Sequence, residues 1–249
     1  MTTNDIFTKP ANASFDCKRF EQLYLASRRK ENRLYTDGQV AQLPWIEPSH
    51  ILFREWEVRK RSAARLVNYL ENKKRPLSIL EAGCGNGWLS GRLAAIRHSR
   101  ITGTDINKTE LHQAKSVFGK RSNIRFEEGD IRSMDFKEKF DAVIFAASIQ
   151  YFCSFDKIIA DVLSVLNESG EVHILDSYFY KANEIPGAKE RTRAYFRSLG
   201  VEEMAAFYFH HAVDSLGSFN HTFLFDPRIL KNKLFRKNDL FPWVCIKAK

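Results

Sequence analysis

The chain has 249 residues, of which 44% are hydrophobic and 28% are charged, and its formal net charge is +9. These values are typical of a soluble globular protein with one main domain and a full hydrophobic core. No apolar run approaches the roughly 20 residues that a membrane-spanning helix needs, so we expect no membrane segment.

The cysteines and the first residues bear on the compartment. The four cysteines are widely separated, without a Cys-x-x-Cys pair or nearby histidines at metal-ligand spacing. We therefore expect reduced thiols and no bound metal. The first five residues, 1–5, have neither the basic charges nor the apolar run that secretory signals carry, which predicts a cytoplasmic protein.

Basic residues are concentrated before residue 76, where residues 1–75 contain 15 Lys and Arg against 9 Asp and Glu. We expect residues 1–15 to be loosely ordered and a short basic helix to follow. After a loop through residues 37–48, apolar residues at helical spacing from Phe53 to Leu70 predict an amphipathic helix that ends near residues 73–76. We interpret residues 1–75 as a helical extension. Its charge suits either a solvated helix face or a surface that attracts nucleic acid or another anion.

The stretch from Ile79 to Trp88 is the most informative part of the chain. An apolar run ends in Glu81 and is followed by three glycines spaced two apart and by a helical pattern. This order predicts a buried strand, a glycine turn and a helix whose N-terminus can meet a ligand. The dinucleotide-binding pattern Gly-x-Gly-x-x-Gly needs a third glycine at position 88, where the chain has tryptophan, so a nicotinamide oxidoreductase is disfavoured.

Four more strands follow in alternation with helices. The second strand ends at Asp105, which is well placed to bind a ribose, and Asn107 with Glu110 resembles a capping box at the start of the next helix. The third strand, over 124–127, precedes Asp130, the fourth covers 140–147 and is almost continuously apolar, and the fifth covers 171–176. We predict a parallel sheet with right-handed crossovers and helices on both faces.

The remainder departs from this alternation. Residues 178–220 contain two helical patterns, over 188–199 and 201–211, which we interpret as an inserted helical lid. Residues 221–225 and 241–246 then read as two last strands that pair with each other antiparallel. The predicted fold is therefore α/β and Rossmann-like, with a seven-stranded, mostly parallel sheet and an antiparallel last strand.

From Ile79 to about Tyr180 the chain resembles the class I S-adenosylmethionine-dependent methyltransferases, as judged by the glycine motif, the acids after strands two and three and the loop after strand four. The resemblance implies that residues 76–249 form the methyltransferase domain and that S-adenosylmethionine is the cofactor. It implies that the glycine backbone meets the amino acid end of the cofactor, Asp105 its ribose and Asp130 its adenine. The residues expected to bind the cofactor are Glu81, Gly83, Cys84, Gly85, Gly87, Asp105, Ile106, Asp130, Ile131, Ala146, Ala147 and Ile149.

The methyl acceptor is less readable than the donor. A hydroxyl or protonated amine acceptor needs a base, and His210 and His211 in the predicted lid are the first candidates, with a structural role as the alternative. The Asn/Asp-Pro-Pro-Tyr/Phe motif of amino methyltransferases that act on nucleic acid bases is replaced by Ala147-Ser148-Ile149-Gln150. We expect transfer to an oxygen or nitrogen of a small molecule, with nucleic acid methylation or binding as the alternative. The sequence indicates no oligomeric state.

Overall fold

A seven-stranded sheet organises the protein, as the sequence predicted. The computed structural model describes residues 16–229 and 240–248, so the expected disorder of residues 1–15 lies outside it. The sheet strands are β1 (Leu77–Ala82), β2 (Ser99–Asp105), β3 (Ile124–Glu128), β4 (Phe140–Ala146), β5 (Leu166–Leu175), β8 (His221–Phe225) and β9 (Trp243–Lys247); a separate short pair consists of β6 (Phe179–Tyr180) and β7 (His211–Ala212). The helices are α1 (Cys17–Lys30), α2 (Asp37–Gln42), α3 (Phe53–Glu71), α4 (Trp88–Leu93), α5 (Lys108–Phe118), α6 (Phe155–Ser164) and α7 (Ile185–Ser198).

The strand order is β3-β2-β1-β4-β5-β9-β8. The first five strands pair in parallel, and β9 lies antiparallel between β5 and β8. The order reverses between β1 and β4, whose neighbours run outward in opposite directions. In an open α/β sheet of this kind, ligands bind beyond the carboxyl ends of the strands at such a reversal.

Apolar side chains cover both faces of the sheet. One core cluster contains Ile79 and Ile144 from the sheet, Leu89 from α4 and Leu66 from α3. A second cluster packs α6 against the opposite face around Phe145. Because α3 shares a core with β1, the helical extension packs on the domain, and the predicted division at residue 75 remains a prediction from the sequence. None of the described helices is long and apolar enough to cross a membrane.

Three local expectations were wrong. The predicted loop through residues 37–48 contains α2, which Thr36 starts with a capping box to Gln39. Residues 202–207 form a 3-10 helix rather than a full helix, and the segment then runs into β7, which pairs with β6. Strand β5 begins at Leu166, five residues before the predicted start at residue 171, and its register is irregular where it starts.

A third, smaller core joins α1 to the segment from 178 to 220. Phe20 and Leu23 of α1 pack against Phe196 of α7 and against Met204 and Phe207 of the 3-10 helix. The N-terminal helix and the segment from 178 to 220 therefore act as one packed layer. On the α1 side of this layer, Phe20 also lines the cleft at the carboxyl ends of the strands.

Candidate functional site

A cleft opens at the carboxyl ends of β1, β2 and β4, and it brings together most of the residues expected from the sequence. Those that line it are Glu81, Gly83, Cys84, Gly85, Asp105, Ile106, Asp130, Ile131, Ala146 and Ala147. Gly87 and Ile149 do not line it. Gly87 precedes α4 and packs near Ala114 and Phe126, and Ile149 is buried in the core.

The glycine turn has a backbone that only glycine adopts readily. Gly83, Gly85 and Gly87 have φ values of 73°, 52° and 74°, in the left-handed region. A Cβ at Gly83 would lie 2.7 Å from the Cβ of Ser148. The hydroxyl of Ser148 also donates to the carbonyl of Ala82 at 2.6 Å, which ties the loop after β4 to the turn. The turn is therefore closely packed on one side and open to the cleft on the other.

Two acids flank this turn. Glu81 is 2% exposed and accepts a hydrogen bond from the Ser90 hydroxyl, and its burial raises the pKa to about 8. Asp105 accepts from the backbone N–H of Gly85 at 2.7 Å and from that of Asn107 at 2.8 Å. Burial also raises the pKa of Asp105, which these backbone hydrogen bonds partly offset.

A third acid, Glu110, was interpreted from the sequence as part of a capping box, and half of that interpretation was wrong. Asn107 does cap α5, because its Oδ1 accepts from the N–H of Glu110 at 3.0 Å. The Glu110 side chain does not return to the cap. It lines the cleft, and its Oε2 lies 2.9 Å from the position that a Cβ on Gly85 would occupy. Burial and the charge of Asp105 raise the pKa of Glu110 to about 7.

The Asn107 side chain also has a free hydrogen-bonding group. Asn107 is 1% exposed and lines the cleft, and its Nδ2 has no hydrogen-bond partner among the described residues. Since its Oδ1 is engaged in capping, the orientation of the amide is settled. An unpaired buried donor costs free energy unless a ligand satisfies it.

Asp130 lies in the cleft but already has a partner. The guanidinium of Arg132 contacts both of its carboxylate oxygens, with Nε at 2.8 and 3.0 Å. Burial raises the pKa of Asp130, but the hydrogen bonds from Arg132 outweigh burial and the net pKa is lowered. The carboxylate is therefore a charged acceptor in the lining of the cleft.

The helical extension supplies one wall of the cleft. Tyr35 and Trp56 line it and are joined by a 2.7 Å hydrogen bond. Residues that sequence reasoning missed are Phe20, Tyr24, Arg28, Arg33 and Arg59. Arg28 reaches the Tyr151 hydroxyl at 3.1 Å and so connects α1 to the loop after β4.

Three arginines in this wall share two glutamates. Arg28 pairs with Glu31 at 2.8 Å, Arg33 lies against both Glu31 and Glu55, and Arg59 pairs with Glu55 at 3.0 Å. Burial raises the pKa of Glu55, but its two arginine partners lower it to about 2 overall. This group of five residues carries one positive charge in excess.

The two lid histidines lie outside the cleft lining. His211 is 7% exposed, and its Nε2 is 3.0 Å from the carbonyl oxygen of Ile149, so this nitrogen carries the proton and donates. His210 lies between the rings of Tyr180 and Tyr208, its Nε2 is 2.9 Å from the Thr192 hydroxyl, and its Nδ1 is buried without a described partner. Burial lowers the pKa of His210 to about 4.

Taken together, the sheet order, the glycine turn and the acid at the end of β2 define a nucleoside-binding α/β domain of the Rossmann-like class. Comparison with known proteins narrows this class. Residues 79–170 match the family model described as a methyltransferase domain. The chain contains a class I S-adenosylmethionine-dependent methyltransferase domain, which confirms the predicted family, its fold and, with the family, its cofactor.

The matches between this chain and curated relatives cover only part of each relative's length. The chain is 28% identical to the malonyl-[acyl-carrier protein] O-methyltransferase of Halalkalibacterium halodurans over 148 residues, which cover 55% of this chain and 54% of that protein. It is 26% identical to the demethylmenaquinone methyltransferase of Chlorobaculum tepidum over 193 residues, 75% of this chain and 76% of that one. The chain thus spans about half the length of the first curated relatives that it matches.

Solved structures support the fold. Magnesium protoporphyrin IX methyltransferase from Synechocystis, with bound S-adenosylhomocysteine, has a TM-score of 0.59 and 13% identity and covers 93% of this chain and 97% of its own. The plantazolicin methyltransferase in complex with S-adenosylhomocysteine has a TM-score of 0.55 and 15% identity, covering 94% and 98%. At these identities the likeness concerns the fold.

Proposed function

We propose that this protein transfers a methyl group from S-adenosylmethionine to an oxygen or nitrogen atom of a small organic acceptor. The observation that carries the proposal is the juxtaposition, in one cleft, of the glycine turn, the Asp105 carboxylate and the unpaired amide of Asn107. A nucleoside ribose offers hydroxyl donors to the first carboxylate and oxygen acceptors to the amide. The residues present therefore fit the cofactor that the family uses.

The remaining parts of the cofactor have matching partners in the cleft. The adenine would lie between Ile106 and Ile131, with its amino group towards Asp130. The cofactor carboxylate would meet the surplus positive charge of the Arg28, Arg33 and Arg59 group. The glycine turn and Glu81 would meet its ammonium.

When bound, S-adenosylmethionine supplies an electrophilic methyl group on a positively charged sulfur. The protein's own contribution is orientation and exclusion of water, because an aligned nucleophile in a dry site accounts for much of the acceleration of such a displacement. The layer formed by α1 and the segment from 178 to 220 provides the exclusion, and the loop from Ala147 to Tyr151 lies beneath it.

The two histidines receive different proposed roles. His211 holds the loop after β4 through the Ile149 carbonyl, so we assign it to positioning the acceptor side of the cleft. His210 keeps one nitrogen without a partner and remains the proposed general base. Its low pKa means that it is neutral and able to accept a proton at pH 7, although it is a weak base.

The acceptor class is supported indirectly. The relatives reported above are named for acceptors of several kinds, none of them a nucleic acid. In the extension, acids take up much of the basic charge that suggested nucleic acid. The residues with such partners are Arg19, Arg28, Arg33, Arg59, Lys60, Arg61, Lys73 and Arg75. Nucleic acid binding therefore stays the second candidate, and the predicted compartment stays a prediction.

Two measurements test the proposal. Calorimetry with S-adenosylhomocysteine should give saturable one-to-one binding, and an absence of binding would reject it. Incubation of cell extract with methyl-labelled S-adenosylmethionine and the protein should place the label in the small-molecule fraction. Label in the nucleic acid fraction, together with retention on RNA or DNA that falls steeply with salt, would favour the second candidate.

A further inference from the structure

Glu110 is the acid whose position neither the helix nor the family pattern explains. At the third position of α5 its side chain could cap the helix, yet it lies in the cleft against Gly85. In this position Glu110 is partly buried beside Asp105, and both burial and the charge of Asp105 disfavour its ionised form. An acid kept in such a position is a candidate for ligand contact.

Asp105 alone has limited capacity for a ligand. Its Oδ2 already accepts from the N–H of Gly85 and its Oδ1 from that of Asn107. Each oxygen keeps one further lone pair, and both must also hold the turn in place. A second carboxylate near the same part of the cleft could accept hydrogen bonds from the ligand that Asp105 would otherwise have to accept while it also holds the turn.

A ribose has two neighbouring hydroxyls, and each can donate one hydrogen bond and accept others. The cleft presents matching groups in one place: the carboxylates of Asp105 and Glu110 as acceptors, and the Nδ2 of Asn107 as a buried donor without a partner. Asp105 and Asn107 come from the end of β2 and the cap of α5, and Glu110 follows one turn later. All three are thus fixed by the same strand-to-helix connection.

We propose that Glu110 is a second ribose-binding residue, so that Asp105 and Glu110 each accept a hydrogen bond from one of the two ribose hydroxyls while Asn107 donates to a ribose oxygen. This inference rests on the proposed function, because it assumes that a nucleoside-bearing cofactor occupies the cleft. It adds a specificity-determining residue that the glycine motif and the strand-two acid do not contain.

Glu110 also interacts with residues of α1 and α3. Tyr24 of α1 hydrogen-bonds to it, and the charges of Arg28 of α1 and Arg59 of α3 act on it together with that of Asp105. A purely structural alternative follows from these contacts: Glu110 would only tether α1 over the cleft. The two roles differ in one respect, since a tether does not distinguish which ribose hydroxyl a ligand carries.

The test is a binding cycle between side chain and hydroxyl. Calorimetry would measure S-adenosylhomocysteine and its 2′-deoxy and 3′-deoxy analogues against the wild-type protein, Glu110→Gln and Asp105→Asn. The matched control is Glu128→Gln, which removes the same charge from an exposed residue that pairs with Lys108 outside the cleft lining. We expect the control to match the wild type with all three ligands.

For the wild type, loss of either hydroxyl should weaken binding about tenfold, the usual size of a lost hydrogen bond to a charged group. Glu110→Gln should bind S-adenosylhomocysteine about tenfold more weakly and lose almost nothing further with one of the two deoxy analogues. Asp105→Asn should show the same insensitivity towards the other analogue.

The outcomes distinguish a failure of the proposed function from a failure of the ribose role of Glu110. If the wild type binds no S-adenosylhomocysteine, the proposed function fails. If the wild type binds it but Glu110→Gln remains as sensitive to both deoxy analogues as the wild type, the ribose role of Glu110 is overturned and the tether or no role remains. Equal binding by Glu110→Gln and wild type overturns it as well.

Discussion

Two clusters of polar side chains differ in whether an ion pair offsets the burial of their acids. The cleft cluster, Glu81, Asp105, Asn107 and Glu110, faces a cavity, leaves an amide without a partner and holds acids with raised pKa values. The strand-five cluster, Tyr69, Lys73, Glu171, His173 and Trp243, lies between the sheet and the end of α3.

In the strand-five cluster the acid has both a hydrogen-bond donor and a cation as partners. Glu171 accepts from Tyr69 at 3.0 Å and lies 2.8 Å from the ammonium of Lys73. Burial raises the pKa of Glu171, but its partners lower it to about 2 overall. Trp243 donates its indole N–H to Nδ1 of His173, which places the proton of the neutral ring on Nε2, 3.3 Å from Glu171.

The cluster also bears on metal binding. Glu171, His173 and Cys245 bring one potential ligand atom each within 4.8 Å of one another. The atom that His173 would offer is Nε2, however, and in the neutral ring this nitrogen carries the proton. Lys73 already neutralises the carboxylate. The arrangement therefore favours a structural network over a metal site.

The comparison separates polar groups kept for structure from polar groups kept for a ligand. Where partners are internal, the charged form of the acid is stabilised and the pKa falls. Where no ion pair contacts the acid, as for Glu81, Asp105 and Glu110, burial dominates and the pKa rises. The raised pKa values of the cleft cluster are thus a cost to the ligand-free protein that a ligand can offset.

The largest expected effect is on stability in the strand-five cluster. Glu171→Ala leaves Lys73 and Tyr69 without their partner, and we expect the free energy of unfolding to fall by about 3 kcal/mol. Denaturant unfolding measures it, with the exposed Glu168→Ala as the control. The affinity of the folded variant for S-adenosylhomocysteine should be unchanged. A loss of affinity in a variant that still folds would break the separation between the clusters.

Asp105→Asn should act mainly on ligand binding. The change leaves a carboxamide oxygen for only one of the backbone N–H groups of Gly85 and Asn107, sets an amide NH2 against the other and removes the charge. S-adenosylhomocysteine binding should therefore weaken by about 1–3 kcal/mol. Calorimetry measures the affinity and thermal unfolding the stability. An affinity within twofold of the wild type would show that this acid does not read the ribose.

Much of the sheet could be predicted from the sequence, because its strands carry strong signals. The apolar run of β4, the glycine turn after β1 and the acid that ends β2 each reflect a local requirement that only a few residue types satisfy. Helix α2 was missed because it is six residues long, too short for a periodic pattern. The β6–β7 pair was missed because two-residue strands depend on tertiary contacts rather than propensity.

The residues of the site likewise divide into those that the sequence pattern predicts and those that it does not. Glu81, Asp105 and Asp130 follow strands directly, so their positions at the sheet edge follow from the strand pattern. Arg28 and Tyr24 reach the cleft only because α1 packs against α7 and the 3-10 helix, a long-range contact that no local pattern encodes. Glu110 was misplaced because its spacing from Asn107 fits a capping box equally well.

A smaller effect is expected from Glu110→Gln on stability. The pKa of this acid is raised to about 7 in the folded protein, so the folded state binds its proton more tightly than the unfolded state does. Its contribution to stability is present below the unfolded pKa near 4.3 and is lost as the pH rises through about 7. Glu110→Gln avoids this loss.

We therefore expect ligand-free Glu110→Gln to gain about 1 kcal/mol over the wild type at pH 8 relative to pH 5.5, even though it binds the ligand more weakly. Denaturant unfolding at both pH values measures the difference, and Glu128→Gln should show none. A Glu110→Gln protein that is less stable at pH 8 would indicate that its partners compensate the acid as in the strand-five cluster.

The smallest expected effect concerns His210, which shares the unpaired character of the cleft cluster because its Nδ1 has no described partner. Burial lowers its pKa to about 4, so the unfolded state binds a proton more readily, and stability falls as the pH drops from about 6.5 to 4. Because the side chain is partly exposed, His210→Gln should recover only about 0.5 kcal/mol at pH 5 relative to pH 7. The exposed His112→Gln is the matched control in denaturant unfolding. An equal response of the two variants would mean that burial does not lower the pKa of His210 in the folded protein.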